Sequence, residues 1–161
     1  MPESRVVISN TSALVYLHHI HRLDFLWHLY GQVCITRQVL AELAAGGTTM
    51  PSLDALDWID VREVRIPEAL KLLADLGAGE ASVIALALEV GPSALVLLDD
   101  RLGRRIAALN DLTFTGTAGV LVQAKRRGLI PAVKPLLENL VELGFYLRPQ
   151  HMADICNIVG E

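Results

Sequence analysis

The stretch from Ala94 to Leu98 is a continuous apolar run that ends abruptly at two acidic residues. A run of this length without polar alternation is typical of a strand buried on both faces of a parallel sheet. Strand-length runs also begin near Val6, Gln32 and Ile59, and each is followed by a segment with helical signals. This alternation predicts an α/β fold with three layers, α/β/α, around a mainly parallel sheet of four or five strands.

Within that sheet, Leu95 to Leu98 is predicted to be a central strand, Val6 to Ile8 its neighbour, and 59–64 an edge strand. Thr11 or Ser12 is expected to cap the first helix, and Thr36 the helix that ends at Gly46-Gly47. The remaining elements are predicted as helical turns in 51–58, a strand at 112–115, and helices at 23–29, 67–76, 80–90, 101–109, 117–128 and 131–143, with a last helix from Pro149.

The composition fits one domain spanning residues 1–161, with 52% apolar residues to build its core. Lys and Arg number 14 against 18 Asp and Glu, a net charge of -4. This balance argues against a general nucleic-acid coat protein, although it allows a metal enzyme that contacts a short stretch of RNA. The sequence lacks a signal-peptide pattern and an apolar run of about 18 residues. We therefore expect a cytoplasmic protein with no membrane span, in which Cys34 and Cys156 are free thiols.

Acidic and amide side chains occur where the predicted elements would bring them together. Asn10 follows the first strand, and Asp99 and Asp100 follow the strand that starts at Ala94. The carboxyl ends of parallel strands form the ligand-binding edge of such sheets. Glu80 lies early in the helix before that strand, and Glu42 joins the group if its helix turns it inward. Oxygen ligands of this kind suit a hard cation such as Mg²⁺.

Each of these residues also has a plainer interpretation. Asp99 and Asp100 could cap a helix and interact with its dipole, and Glu80 could do the same. Glu42 could be a solvated helix residue, and Asn10 could serve an ordinary turn. Because adjacent residues point in different directions, at most one of the two aspartates is expected to bind metal directly, with Asp100 preferred.

The basic residues form two groups, one at Arg101, Arg104 and Arg105 and one at 125–127. The first begins beside the predicted metal site, where a phosphate backbone would run, although both groups could be solvated helix faces. His18, His19 and His21 have no nearby acid or cysteine that would complete a zinc site. A nucleotide-binding loop at Gly77 is disfavoured, because it follows a helix and carries an acid where a pyrophosphate would sit.

Taken in order, these motifs resemble a PIN domain. Val7 to Leu14 resembles the opening strand of that family, which usually carries Asp-Thr-Ser, and Val39 to Leu43 resembles its glutamate helix. The resemblance extends from about residue 5 to residue 145, and its further motifs are Gly77-Ala78-Gly79-Glu80-Ala81, Leu97-Leu98-Asp99-Asp100-Arg101, Thr115-Gly116-Thr117 and Arg127-Gly128-Leu129-Ile130-Pro131. These four motifs together are similar to a PIN-like branch found in prokaryotic toxin–antitoxin neighbourhoods.

The resemblance implies a Mg²⁺- or Mn²⁺-dependent endoribonuclease, the toxin of a type II toxin–antitoxin pair, acting as a homodimer that binds a small antitoxin protein. The implied catalytic residues are Asn10, Glu42, Glu80 and Asp100; Asp99 joins them around the metal, and the implied RNA contacts are Thr11, Ser12, Arg101, Arg104 and Arg105. Two departures stand out, because Asn10 replaces an aspartate and Glu80 is longer by one methylene. The alternative is a catalytically weak or inactive module that binds RNA or protein, and a small-molecule phosphoesterase is a third candidate.

Overall fold

The computed structural model describes residues 5–47 and 50–161. Five parallel strands form one sheet in the order β3-β2-β1-β4-β5. Helices cover both faces, so the predicted three-layer α/β/α fold is confirmed. All five strands place their carboxyl ends at the same edge, which fixes where a ligand site of this fold lies.

The strands are short, and most of their residues are buried. Their bounds are β1 Val6–Ser9, β2 Val33–Thr36, β3 Ile59–Arg62, β4 Ala94–Leu97 and β5 Thr113–Thr115. β4 pairs with β1 and β5, as expected for an interior strand, and β3 is an edge strand as predicted. In register, Ser9 lies beside Leu97, so β1 and β4 end together.

The helices alternate with these strands along the chain. Their bounds are α1 Thr11–His19, α2 Asp24–Tyr30, α3 Arg37–Ala45, α4 Glu68–Lys71, α5 Ala78–Val90, α6 Arg101–Leu109, α7 Thr117–Arg126, α8 Lys134–Glu142 and α9 Pro149–Ile158. α5 contacts β1, β2 and β4, while α2 packs against β2 and α7. α5 is buried on most sides, because eight of the nine residues from Gly79 to Ala87 are buried and only Glu80 is partly exposed.

The core lies between the sheet and these helices. Ile8, Ile35, Val96 and Leu97 on the inner strands have no exposed surface. Burial of such side chains stabilises each by about 1.5–3 kcal/mol relative to exposure. Cys34 and Cys156 are buried free thiols, as expected.

Several predicted element boundaries were wrong. Asn10, not Thr11 or Ser12, caps α1. The helix expected at 67–76 is only the single turn α4, the one expected at 131–143 begins at Lys134, and α5 begins at Ala78 rather than Glu80. The helical turns expected at 51–58 are a three-residue 3₁₀ turn, Leu53–Ala55.

Across the described ranges, none of the helices has the length and hydropathy required for a bilayer crossing.

Candidate active site

The carboxyl edge of the sheet is organised around the ends of β1 and β4. The backbone N–H of Asn10 donates to the carbonyl oxygen of Leu97 at 3.0 Å. This bond extends the β1–β4 pairing by one residue beyond the end of β1. Asn10 therefore lies immediately beside the chain segment that carries Asp99 and Asp100.

The side chain of Asn10 is fully buried, and its two ends differ in their bonding. Oδ1 accepts the backbone N–H of Ala13 at 3.0 Å and so caps α1. Nδ2 is buried without a hydrogen-bond partner among the described residues. The amide oxygen expected to serve a metal is thus engaged by the helix, and the nitrogen is the group left free.

Glu42 links three helices at this edge. It is half-buried on α3, and its Oε1 accepts the backbone N–H of Gly79 at 2.8 Å. Its Oε2 accepts the hydroxyl of Thr11, at the start of α1. A Cβ at position 79 would overlap the Glu42 carboxylate, so a larger residue there would displace this carboxylate from its bond with the backbone. Glu42 therefore faces inward, as the sequence prediction required.

Glu80, the third residue of α5, is half-buried and close to the other acids. Burial raises the pKa of its carboxyl above the ordinary value, a backbone hydrogen bond lowers it, and the charges of Glu42 and Asp100 raise it further. Burial is the largest cause of this rise in pKa, and repulsion among the acids adds to it. Glu80 lies within electrostatic range of both Glu42 and Asp100.

Asp99 and Asp100 have separate bonding partners. The carboxylate of Asp99 accepts the N–H of Thr117 at 2.9 Å and the Thr117 hydroxyl at 2.5 Å, one on each oxygen. Asp100 caps α6 through Oδ2, which accepts the N–H of Gly103 at 2.6 Å. The capping interpretation is therefore correct for Asp100, while Oδ1 of Asp100 has no hydrogen-bond partner among the described residues. This difference favours Asp100 over Asp99 as a direct ligand.

The donor chemistry of this edge fits Mg²⁺ or Mn²⁺. Residues 5–47 and 50–161 contain no three His, Cys, Asp or Glu side chains arranged as a complete ligand set. Mg²⁺ does not require one, because it usually takes one or two carboxylates directly and keeps several waters. Oδ1 of Asp100 and the half-buried carboxylate of Glu80 are the oxygens best placed to hold such an ion.

The predicted RNA contacts fall into three environments. Thr11 bonds Glu42 and so belongs to the carboxylate edge, and Ser12 is the half-buried residue after it. Arg101 and Arg105 are exposed on α6. Arg104 is pinned, since its Nε donates to the carbonyl oxygen of Leu98 at 2.7 Å and its guanidinium lies 5.4 Å from the Phe114 ring centroid.

Two supporting contacts were missed in the sequence. The hydroxyls of Thr36 and Ser82 lie 2.7 Å apart and are fully buried, and Ser82 also donates to the carbonyl oxygen of Gly79 at 2.7 Å. They join the end of β2 to the turn that presents Glu80. Thr117, which donates to both oxygens of Asp99, was predicted as the start of a helix and not as a partner of Asp99. Gly116, its neighbour, caps α7, and a Cβ there would overlap Arg104 and Asp99.

Comparison with protein families matches residues 6–161 to the PIN domain. The chain belongs to the PIN domain family. PIN domains are generally nucleases and typically use divalent metal ions. The carboxylates of this PIN domain lie at the carboxyl edge of its parallel sheet. A search of curated proteins for relatives of the chain found no match.

Proposed function

We propose that this PIN domain is a Mg²⁺- or Mn²⁺-dependent endoribonuclease that hydrolyses RNA phosphodiester bonds in the cytoplasm as the toxin of a type II toxin–antitoxin pair. One observation carries the proposal: Glu80 is half-buried within electrostatic range of both Glu42 and Asp100, at the carboxyl edge of a parallel sheet. Several negative charges held together in a partly buried site cost free energy unless a cation offsets them. A site of this kind is suited to binding a divalent ion.

The catalytic roles follow from the bonding of each residue. Oδ1 of Asp100 and the Glu80 carboxylate hold the ion, while Glu42 keeps the start of α5 in place through Gly79. When bound, the ion supplies Lewis-acid activation of water and offsets charge on the scissile phosphate.

The RNA is held by side chains around this edge. Thr11 and Ser12 lie at the start of α1, where backbone N–H groups and the helix dipole favour a phosphate. Arg101 and Arg105 are exposed on α6 beside Asp100, where they can neutralise the RNA backbone. Arg104 contributes its charge from a fixed position.

The proposed assembly is a homodimer that also binds a small antitoxin. The chain has a mean hydropathy of +0.41, and several large apolar side chains are strongly exposed. Leu72, Leu109 and Tyr146 are 81%, 77% and 84% exposed. Apolar surface of this kind is common at protein interfaces.

The second candidate is a catalytically weak or inactive PIN domain that binds RNA or protein. The observation that favours it is Asn10, which brings no charge and whose oxygen is occupied by Ala13. With one fewer carboxylate, the edge holds an ion less tightly.

An RNA cleavage assay separates the two candidates. Purified protein is incubated with a mixed-sequence RNA in Mg²⁺, in Mn²⁺ and in EDTA, beside the Asp100→Asn variant and, as control, Asp57→Asn on an exposed residue. Nuclease function predicts metal-dependent products from the wild type and Asp57→Asn, and none from Asp100→Asn. Equal absence of products in every reaction would leave the binding module as the better account.

A further inference from the structure

Two cavities meet at the edge strand β5. The near cavity, about 830 Å³, adjoins the carboxylate edge and is lined by Asp75, Asp100, Arg101, Arg104, Arg105 and Phe114. The far cavity, about 380 Å³, is lined by Arg5, Tyr30, Thr113, Thr115, Gln123 and Arg127. Phe114 lines both, so the two cavities are neighbours across β5.

The arginines along this path form no ion pairs among the described residues. The ion pairs among the described residues use Arg22, Arg37, Arg62, Lys71 and Lys125. None of them uses an arginine of the near cavity or of the far cavity. The path therefore carries positive charge that is available to a ligand, with Asp75 and Asp100 as the acids on its near side.

The far cavity combines cationic, polar and apolar groups. Leu29 and Leu95 are buried apolar residues of its lining. The half-buried Tyr30 feels the charge of Arg127, which opposes the rise in its pKa caused by burial. Gln123 and the threonines of β5 add amide and hydroxyl groups. An aromatic ring beside arginines and hydrogen-bonding groups suits a nucleotide, with its base stacked and its phosphate neutralised.

We propose that single-stranded RNA runs from the carboxylate edge across β5 into the far cavity, where Arg5 and Arg127 bind its phosphates and Tyr30 stacks on a base. The start of this path rests on the proposed function. RNA is favoured over an acidic protein segment because the path begins at Asp100 and alternates aromatic rings with arginines.

The test measures RNA binding without cleavage. Fluorescence anisotropy in EDTA compares the wild type with Arg5→Ala/Arg127→Ala and with a control pair, Arg65→Ala/Arg148→Ala, which removes the same charge from exposed positions elsewhere. The RNAs are single strands of about 4 and about 16 nucleotides, the limits of typical single-strand sites. Melting temperatures confirm that each variant is folded.

The proposal predicts an effect that depends on RNA length. The far-cavity pair weakens binding of the long RNA and lowers its salt slope by about 1.4, since each phosphate contact with single strands contributes about 0.7. For the short RNA, Arg5→Ala/Arg127→Ala should show the same salt slope as the wild type. For the long RNA, the control pair and Arg5→Lys/Arg127→Lys should show the wild-type slope.

Equal binding of the long RNA by the wild type and Arg5→Ala/Arg127→Ala would overturn the proposal. The proposal would also be overturned if Arg5→Ala/Arg127→Ala bound a poly-glutamate peptide more weakly than the wild type does but bound RNA equally well. The far cavity would then bind an acidic protein segment. Failure of the wild type to cleave RNA in Mn²⁺ would instead refute the nuclease function, and the two failures are distinguishable.

Discussion

The side-chain amide of Asn10 uses its oxygen for a structural hydrogen bond, whereas its nitrogen makes none among the described residues. Its oxygen caps α1, while Nδ2 is buried without a partner among the described residues. A buried donor left without a partner costs about 1–3 kcal/mol. An aspartate here would keep the cap through one oxygen and place the second where the nitrogen now lies.

Asn10→Asp is expected to raise Mn²⁺ affinity by about tenfold, a change of about 1.4 kcal/mol, because it adds a charge at the sheet edge that carries Asp100 and Glu80. Isothermal titration measures this affinity. Asn157→Asp, which adds the same charge on the exposed side of α9, is the control and should bind like the wild type. Unchanged affinity in Asn10→Asp would show that position 10 lies outside the metal site.

Glu80 gives the site a pH dependence of known sign. Its pKa is higher in the folded protein than the ordinary value of 4.5, so the folded state holds the proton more tightly than the unfolded state. Stability of the metal-free protein therefore falls as pH rises from the ordinary pKa through the raised one, and the penalty persists above it.

Glu80→Gln is expected to remove this penalty. In EDTA, its melting temperature at pH 7 should exceed that of the wild type, and the difference should shrink as pH falls toward 4.5. Glu138→Gln, an exposed substitution on α8, should follow the wild type throughout. A Glu80→Gln curve parallel to the wild type at all pH values would contradict the raised pKa.

At the scale of elements, Asp99 ties the end of β4 to the start of α7 through Thr117. The contact satisfies an N–H group of the first turn of α7, which its own cap residue, Gly116, does not bond with a side chain. Asp99 therefore has a structural role in joining β4 to α7, whereas the sequence analysis placed it around the metal beside the preferred ligand, Asp100.

Asp99→Ala should lower the free energy of unfolding by about 1–2 kcal/mol, the usual effect of losing a capping side chain. The loss should be the same in EDTA and in Mn²⁺, as measured by urea denaturation. Asp57→Ala, on an exposed residue, is the control and should change little. A larger loss for Asp99→Ala in Mn²⁺ than in EDTA would make Asp99 a ligand.

The strands were predictable because their apolar runs are bounded by polar residues, as at Ala94 to Leu98. The first residues of helices were harder to predict, because residues far away in the sequence determine where a helix begins. α8 begins at Lys134 rather than Pro131, and Glu161 accepts the N–H groups of Val133 and Lys134 at 2.7 and 3.0 Å. α4 ends early, and Leu72 after it is 81% exposed, so no packing extends the helix.

The candidate site was partly predictable, because it lies where the predicted strands end. The rule that parallel strands end at one edge placed Asn10 and Asp100 together, and Glu42 required only an inward-facing helix. The sequence could not supply the pairing of Thr36 with Ser82, which are far apart in the chain. Nor could it show that Ala13 occupies the Asn10 oxygen, since the cap had been expected at Thr11 or Ser12.

At the scale of the whole molecule, exposed apolar side chains bear on assembly. Sedimentation should show a dimer at micromolar concentration, because apolar surface favours association. Two double variants place charges on exposed apolar residues: Leu72→Glu/Leu109→Glu and Tyr146→Glu/Ile158→Glu. The variant whose residues lie in the dimer interface should be a monomer. A monomeric wild type would contradict the proposed homodimer.

The central claim is that Glu80 and Asp100 hold one metal ion at the edge that Glu42 helps to organise, and Mn²⁺ titration tests it most directly. The account predicts one Mn²⁺ per chain, with affinity reduced at least about tenfold, or about 1.4 kcal/mol, in Glu80→Gln and Asp100→Asn. Glu42→Gln should weaken binding less, because an amide oxygen can still accept from Gly79. Glu138→Gln should bind like the wild type. Equal affinity in all five proteins, or no binding in any, would contradict the claim.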